Sequence, residues 1–203
     1  MSALRILRIA FFALLAVSGA SFGDALQDGI AAYRAGEYAK AYELWKPLAE
    51  KGVAAAQYQL GTLYAEGKGV DQNDATAAIW FERAAEHGDA AAQYNLGASY
   101  AEGLGVRKDD AEAARWFRRA AEQNMAFAQL NLGMLYASGR GVAQDNVEAL
   151  KWIELAVLAL PPGGPRADAA RALKDVADKM TADEILEAKG RSRTWRPKAE
   201  TKP

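Results

Sequence analysis

AAAQYQLGTLYAEGKGVDQNDATAAIWFERAAEHGD (54–89) runs without a gap into AAAQYNLGASYAEGLGVRKDDAEAARWFRRAAEQNM (90–125), and then into AFAQLNLGMLYASGRGVAQDNVEALKWIELAVLALP (126–161). The three blocks begin 36 residues apart. A fixed period of this size marks stacked helical units, each burying its apolar face only against its neighbours. Within the first block Ala56, Leu60 and Tyr64 recur four residues apart, and Ala77, Trp80, Phe81, Ala84 and Ala85 form a second stripe. Both stripes fit one face of a helix, neither alternates with period two, and both stretches are rich in the best helix former. Between them Gly67-Lys68-Gly69-Val70 offers the left-handed residue that ends a helix, and Asn73 or Asp74 offers a cap for the next. Gly88 supplies the stop before the following block. The sequence therefore predicts an all-α fold, an α/α superhelical solenoid of helix-turn-helix repeats.

Equivalent positions carry the same chemistry. Leu60-Gly61, Leu96-Gly97 and Leu132-Gly133 share one point of the first helix of each block, here called helix A. A mid-helix glycine costs about 1 kcal/mol relative to alanine, so its recurrence predicts close contact between helices. Trp80, Trp116 and Trp152 share one point of the second helix, helix B. With Phe81 and Phe117 they read as packing residues rather than a cofactor box.

These residues carry a family resemblance. The pattern A-x-x-x-L-G-x-x-Y-x-x-G-x-G-V followed by A-x-x-W-F-x-x-A-A resembles the Sel1-like repeat. It is matched by Ala56, Leu60, Gly61, Tyr64, Gly67, Gly69, Val70, Ala77, Trp80, Phe81, Ala84 and Ala85, and by the same set in the second block. In the third block Phe gives way to Ile153 and the end drifts into Leu155-Ala156. The family is related to tetratricopeptide repeats. The resemblance implies a right-handed superhelix serving as a protein-interaction scaffold. Some relatives staple their hairpins with disulfides, a device this chain lacks because it has no cysteine.

Residues 25–53 resemble a plain tetratricopeptide pair, with Ala35-Gly36-Glu37 as a short turn and Pro47 inside its second helix. Repeats are expected at 54–89, 90–125 and 126–161. Pro161-Pro162-Gly163-Gly164-Pro165 breaks regular structure before capping helices at 166–190, the last opened by the capping box Thr181-Ala182-Asp183-Glu184. At the start, Arg5 and Arg8 precede an apolar run at 9–17 and small residues at Ser18-Gly19-Ala20 and Gly23-Asp24-Ala25. That is the layout of a secretory signal peptide at 1–20, with cleavage after Ala20 or Ala25. A retained anchor would need about 20 apolar residues. The expected location is the periplasm or the exterior.

Charge is uneven. Residues 21–188 hold 17 Lys/Arg against 25 Asp/Glu, whereas 189–203 hold six Lys/Arg against Glu200 alone. An acidic body argues against nucleic acid as a partner. The tail at 191–203 is expected to be disordered and solvated. Membrane contact is conceivable only there, through Arg191, Arg193, Arg196 and Lys198.

Chemistry is sparse. His87 is the only histidine, and its counterparts are Lys51 and Gln123. Neither a metal site nor a Ser–His–Asp triad is expected from it, and no cofactor is implied. The Gly-x-G loops lack the third glycine and preceding strand of a dinucleotide site. Lys68, Arg107, Lys108 and Arg140 beside them read as solvated, and Asp110, with Asp74 and Asn146, reads as a helix cap. An envelope enzyme acting on wall material or β-lactams is the competing reading, but no Ser-x-x-Lys is present. The expected function is thus non-catalytic binding of a protein or peptide on the concave helix-A face. By resemblance to tetratricopeptide grooves, the residues flanking each Leu-Gly pair face inward: Tyr58, Gln59 and Thr62, then Tyr94, Asn95 and Ala98, then Leu130, Asn131 and Met134. Gln59, Asn95 and Asn131 could hydrogen-bond an extended backbone, and Tyr58 and Tyr94 could offer rigid contact area. The tyrosines could equally seal one repeat against the next.

Overall fold

The computed structural model describes residues 22–199, so the expected export signal at 1–20 lies outside the described residues. Among them are ten α-helices and no strand. A first pair, α1 (Phe22–Arg34) and α2 (Tyr38–Glu50), precedes three repeats. These are α3 (Ala54–Glu66) with α4 (Asp74–Glu86), α5 (Ala90–Glu102) with α6 (Asp110–Glu122), and α7 (Ala126–Ser138) with α8 (Asn146–Ala159). Then follow α9 (Gly164–Ala177) and α10 (Ala182–Thr194). From α1 to α9 successive helices pack on one another, but α10 folds back onto α8.

Local chemistry sets the ends. Every helix A stops at a left-handed glycine, Gly67, Gly103 or Gly139, whose N–H reaches back to Leu63, Ser99 or Leu135. Every helix B starts at an extended Asn73, Asp109 or Asp145, whose side chain accepts from backbone N–H groups of the first turn. The cap is therefore one residue earlier than Asp74, Asp110 and Asn146, which occupy the first helical position. Only the extended residue can aim its oxygen at those orphan donors.

Glycines set the packing. A Cβ on Gly61 would lie 2.6 Å from the Phe81 ring, on Gly97 2.7 Å from Phe117, and on Gly133 2.5 Å from Ile153. The first pair uses the same device with Gly29 against Trp45, although its connecting turn is shorter. The second loop glycine does something further. A Cβ on Gly69 would meet the backbone of Tyr38 at 2.7 Å, on Gly105 the carbonyl of Asp74 at 2.1 Å, and on Gly141 that of Asp110 at 2.0 Å. Each loop thus rests on the start of helix B in the preceding pair, a contact between repeats as well as a turn.

Adjacent aromatics divide the labour. Phe81 and Phe117 pack within their own pair, whereas Trp116 joins the core of the first repeat and Trp152 that of the second. Trp80 plays this part against the first pair and remains half-buried beneath Arg83. A buried amide adds a polar tie: Nε2 of Gln57, Gln93 and Gln129 donates to Ala49, Ala85 and Ala121, each in the last turn of the preceding helix B. These glutamines are at most 3% exposed.

The C-terminal end departs from expectation. The penultimate helix begins earlier, at Gly164, and α10 continues to Thr194, although its capping box is formed as expected. The tail is not a free segment from residue 191. Arg191 bridges Glu148 and Glu187 at 2.6 Å each, and Ser192 hydrogen-bonds Glu154. Trp195 meets Trp152 edge-on at 6.0 Å, and Lys198 donates its backbone N–H to Glu122. The acidic residues of α6 and α8 attract this basic segment, and the two indoles anchor it.

The glycine contact yields a prediction. Gly97→Ala gains about 1 kcal/mol of helix propensity but forces the buried Phe117 ring to move, at about 1–3 kcal/mol. Urea unfolding should show a net loss of stability, restored in part by adding Phe117→Leu.

Candidate functional site

Residues of α3, α4 and α5 surround a groove of about 280 Å³ at the junction of the first two repeats. Four residues expected from the sequence meet there: Tyr58 and Thr62 from α3, Asn95 and Ala98 from α5. Phe81 lies beside Tyr58 with ring centroids 6.0 Å apart. Asp74, at the start of α4, and Leu104, in the loop after α5, complete the loop end. Leu104 is 45% exposed. Thr62 Oγ1 is satisfied by the Tyr58 carbonyl at 3.1 Å.

The other expected residues go elsewhere. Gln59 is half-buried and does not line this groove. Tyr94 lies between Phe117 and Phe127, at 5.8 and 6.2 Å between ring centroids, and hydrogen-bonds Asn131. Burial pushes its phenol above the usual range, against the opposing effect of the Asn131 bond. Tyr94 therefore seals the second repeat against the third. Leu130 packs into the core beneath α8 and α9. Met134 lines a separate, larger groove between α7 and α9, of about 510 Å³, with Arg171, Asp175 and Lys179.

Of the four loop cations, Arg107 and Lys108 are exposed, whereas Lys68 and Arg140 are engaged. Lys68 donates to the Tyr33 hydroxyl at 3.0 Å, pairs with Glu66 at 3.0 Å, and lies 5.2 Å from the Tyr38 ring centre. The bond to Tyr33, and then that to Glu66, hold its ammonium above the ordinary lysine range. Arg140 grips both oxygens of Asp110, Nη2 at 2.7 Å and Nε at 3.1 Å. That bond holds the Asp110 carboxyl below the ordinary range. The middle loop carries Leu104 at the same position and makes no such grip on Asp74.

Sequence reasoning passed over Leu104 because one apolar residue in a glycine loop carries no signal by itself. Its alignment with Lys68 and Arg140 was the available clue. His87 caps the end of α4, exposed, with Nδ1 2.7 Å from the Arg83 carbonyl. Among the described residues no group of three His, Cys, Asp or Glu side chains converges as metal ligands would.

Tandem helical pairs, each packed on its neighbours, define the chain as a solenoid of helix-turn-helix repeats. It belongs to the Sel1 repeat family, whose model matches residues 54–89, 90–125 and 126–159. Sel1 repeat proteins are in general non-catalytic scaffolds for protein–protein interaction. A Sel1 repeat protein from Oxalobacter formigenes is 32% identical with a TM-score of 0.65, the match covering 82% of this chain and 75% of that one. The protein c5321, a protective antigen present in uropathogenic Escherichia coli strains and displaying an SLR fold, is 28% identical with a TM-score of 0.56. That match covers 86% of this chain and 47% of the antigen, so this chain spans about half the antigen's length. No curated protein matches the chain.

The placements separate structural from available residues. Tyr94→Ala should destabilise the fold by about 2–4 kcal/mol, because it removes a ring from between two others. Asn95→Ala and Thr62→Ala should each stay within about 0.5 kcal/mol of the parent. Thermal and urea unfolding of the three variants test this division.

Proposed function

We propose that this protein is an exported, non-catalytic adaptor of the bacterial envelope that binds a segment of another protein on its helix-A face. The groove between the first two repeats is its principal contact. The observation that carries the reading is the convergence there of Tyr58, Thr62, Asn95 and Ala98, joined by the exposed Leu104. Tyrosine supplies amphipathic contact area at small entropic cost, and the Asn95 amide both donates and accepts. The family's general role in protein interaction supports the class of function. The proposed location rests on the layout of residues 1–25, a positive start, an apolar run and small residues before the first repeat-like pair.

Affinity capture on the immobilised mature protein, run separately with envelope and cytosolic extracts, tests both parts. A partner should be recovered from the envelope extract alone and be lost with a Thr62→Ala, Asn95→Ala double variant. An Arg83→Ala change on the helix-B side should leave it bound. Recovery undiminished by the double variant would refute the groove, and a cytosolic partner would refute the location.

A further inference from the structure

The three junctions between neighbouring pairs repeat one arrangement, and the middle junction lacks one part of it. At each, the residue between the two loop glycines stands over the start of helix B in the preceding pair. At the first junction it is Lys68, lying over the Tyr38 ring. At the third it is Arg140, holding Asp110 through two hydrogen bonds. At the second it is Leu104, beside Asp74. Asp74 and Asp110 occupy the same place, the first residue of α4 and of α6. The second loop glycine makes the same close approach at both, a Cβ falling 2.1 Å from the Asp74 carbonyl and 2.0 Å from that of Asp110. The Arg140 geometry therefore shows what Asp74 would accept, and Leu104 cannot provide it.

We infer that the groove at the second junction recognises an arginine of a partner protein, whose guanidinium takes on Asp74 the place that Arg140 takes on Asp110. Three features select this occupant. Asp74 is the carboxylate of the lining without an ion-pair partner among the described residues, since Glu66, the other one there, is paired with Lys68 and accepts from the Tyr33 hydroxyl. A carboxylate gripped side-on by two N–H groups suits the planar fork of arginine better than the point charge of lysine. Exposed Leu104 beside the carboxylate, and half-buried Tyr58 farther along the groove, provide apolar and aromatic surface for the arginine stem and for an apolar neighbour in the partner's sequence. Asn95 can then hydrogen-bond the partner's backbone. The proposal rests on the groove being the binding surface and names what it reads.

The test uses the tripeptide acetyl-Leu-Arg-Leu-amide and its citrulline analogue, which keeps shape and loses charge. Each is titrated to millimolar concentration into the ¹⁵N-labelled protein. The arginine peptide should shift the amides of Asp74, Asn95 and Leu104, and the citrulline peptide should bind at least tenfold more weakly. Asp74→Asn leaves the Asn73 cap intact and should abolish the difference between the peptides. Leu104→Arg should fill the site from within and weaken the arginine peptide at least tenfold. Absence of shifts, equal binding of the two peptides, or indifference to Asp74→Asn would overturn the assignment. With the captured partner the two readings separate. Loss with Thr62→Ala, Asn95→Ala but not with Asp74→Asn keeps the groove and removes the arginine, whereas retention in both removes the groove as well.

Discussion

Backbone meets backbone wherever one pair of helices joins the next, and the stacking of this molecule depends on it. At Gly105 and Gly141 the loop lies against the carbonyl that opens helix B of the preceding pair, so closely that no side chain fits. This contact fixes how far each pair is translated and turned relative to its neighbour. The other ties between repeats depend on that register: the Gln57, Gln93 and Gln129 amides reaching back to a carbonyl, and Trp116 and Trp152 entering the preceding core. Within a pair the glycine of helix A performs the parallel task against Phe81, Phe117 or Ile153. Alanine-rich faces follow, because small residues let helices approach while leucines and a few aromatics fill the core.

Because the register is rigid, a substitution at a repeated position is felt as a local difference on an unchanged frame. Most such differences are absorbed. Ile153 takes the place of Phe, and Asn124 takes the left-handed conformation held elsewhere by Gly52 and Gly88. Leu104 for a cation is not absorbed, since it leaves a carboxylate and an apolar side chain together on the surface. Function in such an array is written in the exceptions to the repeat, and this exception adjoins the groove that Tyr58, Thr62, Asn95 and Ala98 form. The basic tail shows the complementary case. Its Arg191 is answered in cis by Glu148 and Glu187 and its Lys198 by Glu122, and Trp195 on Trp152 holds it in place.

The fold was legible in the sequence because period, glycine placement and aromatic placement are local or strictly repeated signals. The family resemblance and the helix pairs came from the same residues. The site was legible by half. Tyr58, Thr62, Asn95 and Ala98 do line one groove, but sequence spacing cannot tell a tyrosine that borders a groove, such as Tyr58, from one closed between two rings, such as Tyr94. That distinction depends on Phe127, which comes from the next repeat and has Ala91 and Ala55 as its counterparts. The tail was misread because its partners lie up to 76 residues away on other helices. Charge composition alone says nothing about where the answering charges are placed.

A structure of the protein with its captured partner addresses the central claim most directly. The account predicts partner density along the helix-A face at the first two repeats, with a guanidinium bonded to both oxygens of Asp74 and an apolar side chain against Leu104. A partner seated on the helix-B face, or in the groove between α7 and α9 beside Met134, would contradict it.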